Sequence, residues 1–131
     1  MNNPFVQELV VSGSLFRLFA FKVKSQEDDF LEFIKRIIDV NLDNESLNST
    51  LLAKETAYSI SQFHKKFKSI TGVSPGVYIK AYRLRKAKLL LSMNKGNVSE
   101  VAYAVGFNNQ KHFSTSFRKQ FGKTPSECVS K

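Results

Sequence analysis

Residues 60–75, ISQFHKKFKSITGVSP, return 50 positions later as QKHFSTSFRKQFGKTP, residues 110–125. Phe63 matches Phe113, Phe67 matches Phe117, Gly72 matches Gly122 and Pro75 matches Pro125. Lys68 and Ser74 are answered by Arg118 and Thr124 at the same offset. Each copy puts two phenylalanines one helical turn apart, ahead of a glycine and a Ser/Thr-Pro pair. A helix with one apolar stripe cannot bury that stripe alone, so each copy must pack against a neighbouring element.

The chain has 131 residues, enough for one domain or one domain with an appendage. A compact chain of this size buries roughly two-thirds of its unfolded surface and needs no staples. Cys128 is the only cysteine, which excludes an intramolecular disulfide framework and any cysteine-cluster metal site, and points to the cytosol. No apolar run reaches the length of a membrane span. With Gln7 and Glu8 so early, the N-terminus is not expected to act as a signal peptide.

Net charge is +9, unevenly spread. Residues 1–58 carry 6 Lys/Arg against 9 Asp/Glu, and residues 59–131 carry 14 against 2. The repeated part is strongly cationic. Such a field favours polyanions, with nucleic acid ahead of an anionic membrane surface.

Helix signals order most of the chain. Residues 1–24 contain SLFRLFAFKVK, which fits a strand, a short helix or the remnant of a preceding domain. Ser25 with Asp28 resembles a capping box, opening a helix with Phe30, Ile34, Ile37 and Ile38 on one face. Asn48 can cap a second helix, and Ser59 a third over 60–70, with Phe63, Phe67 and Ile70 as its stripe and Gly72 as its stop. Ser74 and Pro75 then start a long basic helix, in which Tyr78, Tyr82 or Ala81, Leu84 or Ala87, and Leu91 recur at helical spacing. VSEVAYAVGF reads as a fifth, short helix, capped by Ser99 or ended upstream and turned by Gly106. Asn108 is placed as the cap of a sixth, 109–120, with Phe113, Phe117 and Phe121 inward and Gly122 as its stop. Thr124 to Glu127 forms another capping box. The expected fold class is all-α.

A short helix, a turn of three or four residues and a capped helix with a polar outer face make a helix-turn-helix signature. The second helix of such a unit fits the major groove of duplex DNA, with its first turn at the base edges. Two such units in a basic surround are a far more specific signal than one.

The stretches RLRKAKLLL, VAYAVGF and HFSTSFRKQFGKTPSE resemble the AraC/XylS-type DNA-binding domain of bacterial transcription regulators, over about residues 47–127. The resemblance implies two homeodomain-like three-helix subdomains joined by a long linker helix. The first helix-turn-helix would be 47–72, the linker helix 75–92 and the second helix-turn-helix 98–122, within a DNA-binding domain of 25–131. Residues 1–24 would then be a linker or a remnant. The repeat would exist because each copy carries its own recognition helix. The resemblance further implies a cytoplasmic transcription regulator that takes double-stranded DNA and no cofactor. RNA polymerase and an upstream receiver or sensor domain are the other candidate partners. The stretch DDFLEFIKRIIDVNLDNESLNSTLLAKE is similar to the approach to this domain in hybrid two-component regulators.

Carried over by position, the base-facing residues of the first recognition helix are Ser61, His64 and Lys65, with Gln62 nearby. In the second they are Gln110, Lys111 and Thr115, with Ser114 nearby. Lys can donate to guanine, Gln can pair with adenine, and hydroxyls serve either. Lys66, Lys68, Arg118 and Lys119 fall to phosphates. This chain departs from the family pattern at Ala57, where glycine is common, and at Cys128, where an aromatic is usual.

Blander readings stand beside these. The Phe and Leu stripes are core, and the glycines are helix stops. His64 and His112 lack partners for a metal site. No strained nucleophile turn supports catalysis, so the chain is not expected to be an enzyme. Arg83 in the linker helix suits a structural ion pair as well as a DNA contact. The competing class is a basic helical module for a protein partner or an anionic membrane, which would leave Phe and Leu exposed opposite its lysines.

Overall fold

The computed structural model describes residues 14–130, with side chains from residue 26. All regular structure among the described residues is helical. The chain divides into two compact units, one ending at Arg36 and one running from Ile37 onward.

Helix α1, Ser14–Val40, contributes to both units. Ser25 lies inside it, so the helix start expected at Ser25 and Asp28 is corrected: the helix begins eleven residues earlier at Ser14. No glycine or proline stands between residues 14 and 40, and nothing interrupts the backbone ladder there. Of the open readings for residues 1–24, helix holds for 14–24; residues 1–13 lie outside the described residues. In the first unit Ile34 is fully buried, and Glu32 pairs with Lys35 at 3.5 Å.

The second unit holds five further helices: α2 Ser49–Glu55, α3 Ile60–Thr71, α4 Pro75–Ser92, α5 Val98–Ala104 and α6 Gln110–Phe121. A short 3-10 turn, Ser126–Cys128, closes it. Side chains set the boundaries. Asn48 caps α2 by accepting from the Leu51 N–H. Ser59 caps α3 in a reciprocal box with Gln62, and Ser74 caps α4 with Pro75 at its first position. Gly72 and Gly122 end α3 and α6 at φ 78° and 73°.

Two caps differ from expectation. Asn97, not Ser99, caps α5, in a box closed by the Glu100 carboxylate. Asn109, not Asn108, caps α6 through the His112 N–H. The reason lies in the turns. The caps Asn48 and Asn97 are 49 apart and the caps Ser59 and Asn109 are 50 apart, so the second turn is one residue longer.

Phe63 and Phe67 are fully buried with Leu52, and Phe113 and Phe117 are fully buried in the second copy. The third stripe members, Ile70 and Phe121, are only half-buried. On α4 the buried residues are Pro75, Ile79, Leu84, Ala87 and Leu91. Ile79 thus takes the place expected of a tyrosine. Tyr78 and Tyr82 are half-buried, and Tyr78 meets Phe67 edge-on at 5.1 Å. Helix α4 has 18 residues, about 27 Å at ~1.5 Å each, and packs against α3, α5 and α6.

Candidate nucleic-acid interface

Each helix-turn-helix presents one capped helix. On α3, Phe63 and Phe67 face the core, and helical geometry of ~100° per residue puts Lys65 on the opposite side. Ser61 and Lys68 flank Lys65 along that outer stripe, and all three are exposed. His64 is exposed beside them, its ring edge-on to Phe63 at 6.4 Å. On α6 the same construction exposes Lys111, Thr115 and Arg118 opposite Phe113 and Phe117. The two outer stripes share one register at the 50-residue offset: Ser61 answers to Lys111, Lys65 to Thr115, Lys68 to Arg118.

The remaining candidates divide. Gln110 and Lys119 are exposed, and Ser114 is half-buried. The Gln62 amide oxygen accepts from the Ser59 N–H at 3.2 Å, which ties the side chain to the cap and leaves its amide NH₂ to act outward. The Thr115 hydroxyl donates to the Lys111 carbonyl at 3.0 Å and retains its acceptor lone pairs. Lys66 is half-buried with its ammonium over the Tyr58 ring at 5.5 Å, on the turn side of α3. Lys65, Lys68, Lys111, Arg118 and Lys119 form no ion pair with a described residue, so their charge faces solvent.

The turns hold these helices in place. In the first, Ala57 takes φ 61°, and Tyr58 N–H donates to the Ala53 carbonyl. In the second, Gly106 takes φ 97°, and Phe107 N–H donates to the Ala102 carbonyl. Phe107 packs on Phe113 at 5.2 Å and on the His112 ring at 5.7 Å. Gly106 sits against the Leu42 carbonyl and the Arg83 guanidinium, with no room for a Cβ.

The structural ion pair open to Arg83 in the sequence is not formed among the described residues. Arg83 donates from Nη2 to the Asn44 carbonyl at 3.2 Å. Burial pushes its pKa down. Gly76, Lys80 and Arg83 fall on one face of α4 at helical spacing, but nothing local in the sequence places Asn44 and Gly106 beside them.

Among the described residues no group of His, Cys, Asp and Glu could hold a metal ion, and no helix is long and apolar enough to cross a membrane.

Two capped helix-turn-helix units on a shared linker helix place the chain in the helix-turn-helix class. A model of a helix-turn-helix domain matches residues 52–131. The HTH-type transcriptional activator RhaS of Escherichia coli O139:H28 is 36% identical over 81 residues, covering 62% of this chain and 29% of that protein. Histidine kinase P4 of Formosa agariphila is 33% identical over 105 residues, covering 80% of this chain and 8% of that protein. The crystal structure of the DNA-binding domain of AdpA, a global transcriptional factor in complex with a target DNA, superposes with a TM-score of 0.67 at 28% identity, covering 74% of this chain and 86% of that one. The chain belongs to the AraC/XylS-type helix-turn-helix family. It spans under a third of the length of both curated relatives.

Proposed function

We propose that this chain is the DNA-reading part of a bacterial transcription regulator, with α3 and α6 entering successive major-groove segments of one duplex. The observation that carries the reading is the shared register of the two outward stripes, on helices whose inward stripes are fixed by buried phenylalanines. Ser61, His64 and Lys65 with Gln62 read one box; Gln110, Lys111 and Thr115 with Ser114 read the other. Lys66, Lys68, Arg118 and Lys119 hold phosphates. Unlike side chains at matched positions make the site asymmetric.

The likeness to a histidine kinase supports an upstream sensor or receiver domain, and the likeness to an activator supports RNA polymerase as the downstream partner. In this reading the chain works in the cytoplasm, does no chemistry and needs no cofactor.

Successive major-groove segments lie about 34 Å, or roughly 10–10.5 bp, apart. Footprinting should therefore show one protected face carrying two boxes. An insertion of half a helical turn between the boxes should reduce binding to the non-specific level. A palindromic site that tolerates that insertion would mean one unit engages per chain, and the two-headed reading would fall.

A further inference from the structure

Between the two helix-turn-helix units lies an open cleft of about 440 Å³. Its lining includes Arg83, Lys80, Ser49, Asn108, His112 and Glu45. The first helix-turn-helix contributes Ser49, the linker helix Lys80 and Arg83, and the second helix-turn-helix Asn108 and His112.

Arg83 is the anomaly. A guanidinium carries five N–H donors and no acceptor. Here one donor meets a protein acceptor, the Asn44 carbonyl. Nε is fully covered, pressed against Gly106, and has no protein acceptor among the described residues. Half-buried cations without a counter-charge are costly, and the expected remedy is an oxyanion that accepts from the fork. Glu45 lines the cleft but lies beyond ion-pair distance of Arg83. Lys80, which is exposed, adds a second cation to the lining.

We propose that this cleft binds a phosphate group through Arg83 and Lys80, bridging the two helix-turn-helix motifs. The phosphate has two chemical sources: a backbone phosphodiester lying between the two boxes, or a free phosphate-bearing small molecule. In either case occupancy ties the second helix-turn-helix to the first through Arg83, since Arg83 already touches the segment at Asn44 and the turn at Gly106. The phosphodiester arm rests on the duplex-binding reading; the free-phosphate arm does not.

Two measurements on the 131-residue chain decide it. In the first, inorganic phosphate is titrated while the Arg83 Nε–H resonance is followed by nitrogen-correlated NMR. A saturable shift with a Kd near ~1 mM, weakened several-fold in Lys80→Gln, supports the site and a free source. In the second, each phosphate between the boxes is replaced singly by a neutral methylphosphonate. One position should cost wild type about tenfold in affinity and cost Arg83→Gln nothing, which supports the site and the DNA source. Arg83→Lys, which keeps the charge, serves if Arg83→Gln melts early, and should retain part of the effect. No saturable shift with phosphate, together with no methylphosphonate position that depends on residue 83, would overturn the proposal. If the chain bound no duplex, the phosphate titration alone would decide.

Discussion

Ala57 and Gly106 occupy the same place in the two helix-turn-helix turns, and both have positive φ, 61° and 97°. The positions look alike and differ in what surrounds them. Ala57 is exposed, so its strain is purely that of a Cβ in the left-handed region. Gly106 is hemmed in by the Leu42 carbonyl and the Arg83 guanidinium. Ala57→Gly should stabilise the domain by about 0.5–1 kcal/mol, the left-handed penalty less the added chain entropy of glycine. Gly106→Ala should destabilise it by about 2 kcal/mol or more, through overlap with backbone that cannot swing aside. Urea unfolding of both variants checks the pair. Similar signs at the two sites would refute the distinction.

Phe63 and Phe113 are fully buried and are expected to act through folding. Truncation of either to Ala should cost about 3–5 kcal/mol, a large share of the ~5–15 kcal/mol typical of a domain. Calorimetry with a parallel DNA titration tests this. A variant that melts normally but no longer binds duplex would move that phenylalanine from the core to the interface.

Lys65 and Lys111 stand away from the core, so their loss should leave melting unchanged. Lys65→Ala and Lys111→Ala should each lose roughly 1–3 kcal/mol on the specific site and far less on random duplex. Arg118→Ala should weaken both duplexes alike and flatten the salt slope by about 1. Equal losses on both duplexes for Lys65 would reassign it to a phosphate.

The Tyr82 hydroxyl donates to Asp39 Oδ1 at 2.7 Å, joining the end of α1 to α4 within the second unit. Partial burial, then the hydrogen bond and negative charge of Asp39, push the Tyr82 pKa well above its ordinary value. A tyrosine whose folded pKa is raised contributes stability that is intact below its unfolded pKa of ~10 and fades as pH rises beyond it. Tyr82→Phe should cost up to about 1 kcal/mol at neutral pH and should make the alkaline stability curve shallower. Identical slopes above pH ~10 in both proteins would show that the bond contributes nothing.

The repeat made the two recognition helices legible because buried aromatics, glycine stops and Ser/Thr-Pro restarts are local signals, and local signals survive in sequence. Phe63, Gly72, Ser74 and Phe117 were all placed by them. Helix starts were less legible where several capping residues crowd together. Asn108 and Asn109 are chemically equal, and only the match of Ser59 to Asn109 at the 50-residue offset separates them. Asn97 was signalled by Glu100 three residues on, a box that the nearer Ser99 obscured. The start of α1 was misplaced because Ser25 looks like a cap, and a serine inside a helix carries no mark of being inside. The outward candidates at Ser61, Lys65, Lys111 and Thr115 came from the family resemblance, carried over by position, and the core stripe is consistent with their exposure. The surroundings of Arg83 were not legible, because Asn44, Arg83 and Gly106 meet only through tertiary packing across 39 and 23 positions.

The contact of Gly106 with the Leu42 carbonyl bears on modularity. The stretch leading into the first reader also serves as part of the seat for the second. The two readers are therefore not separable cassettes. A cut at the Asn94–Gly96 connection would leave the downstream half without Arg83 and without the Leu42 carbonyl beneath its turn. A transplant of the downstream half onto another scaffold would have to carry both along. Duplication of a motif made this architecture look like two parts in series, but its packing makes it one part with two working ends.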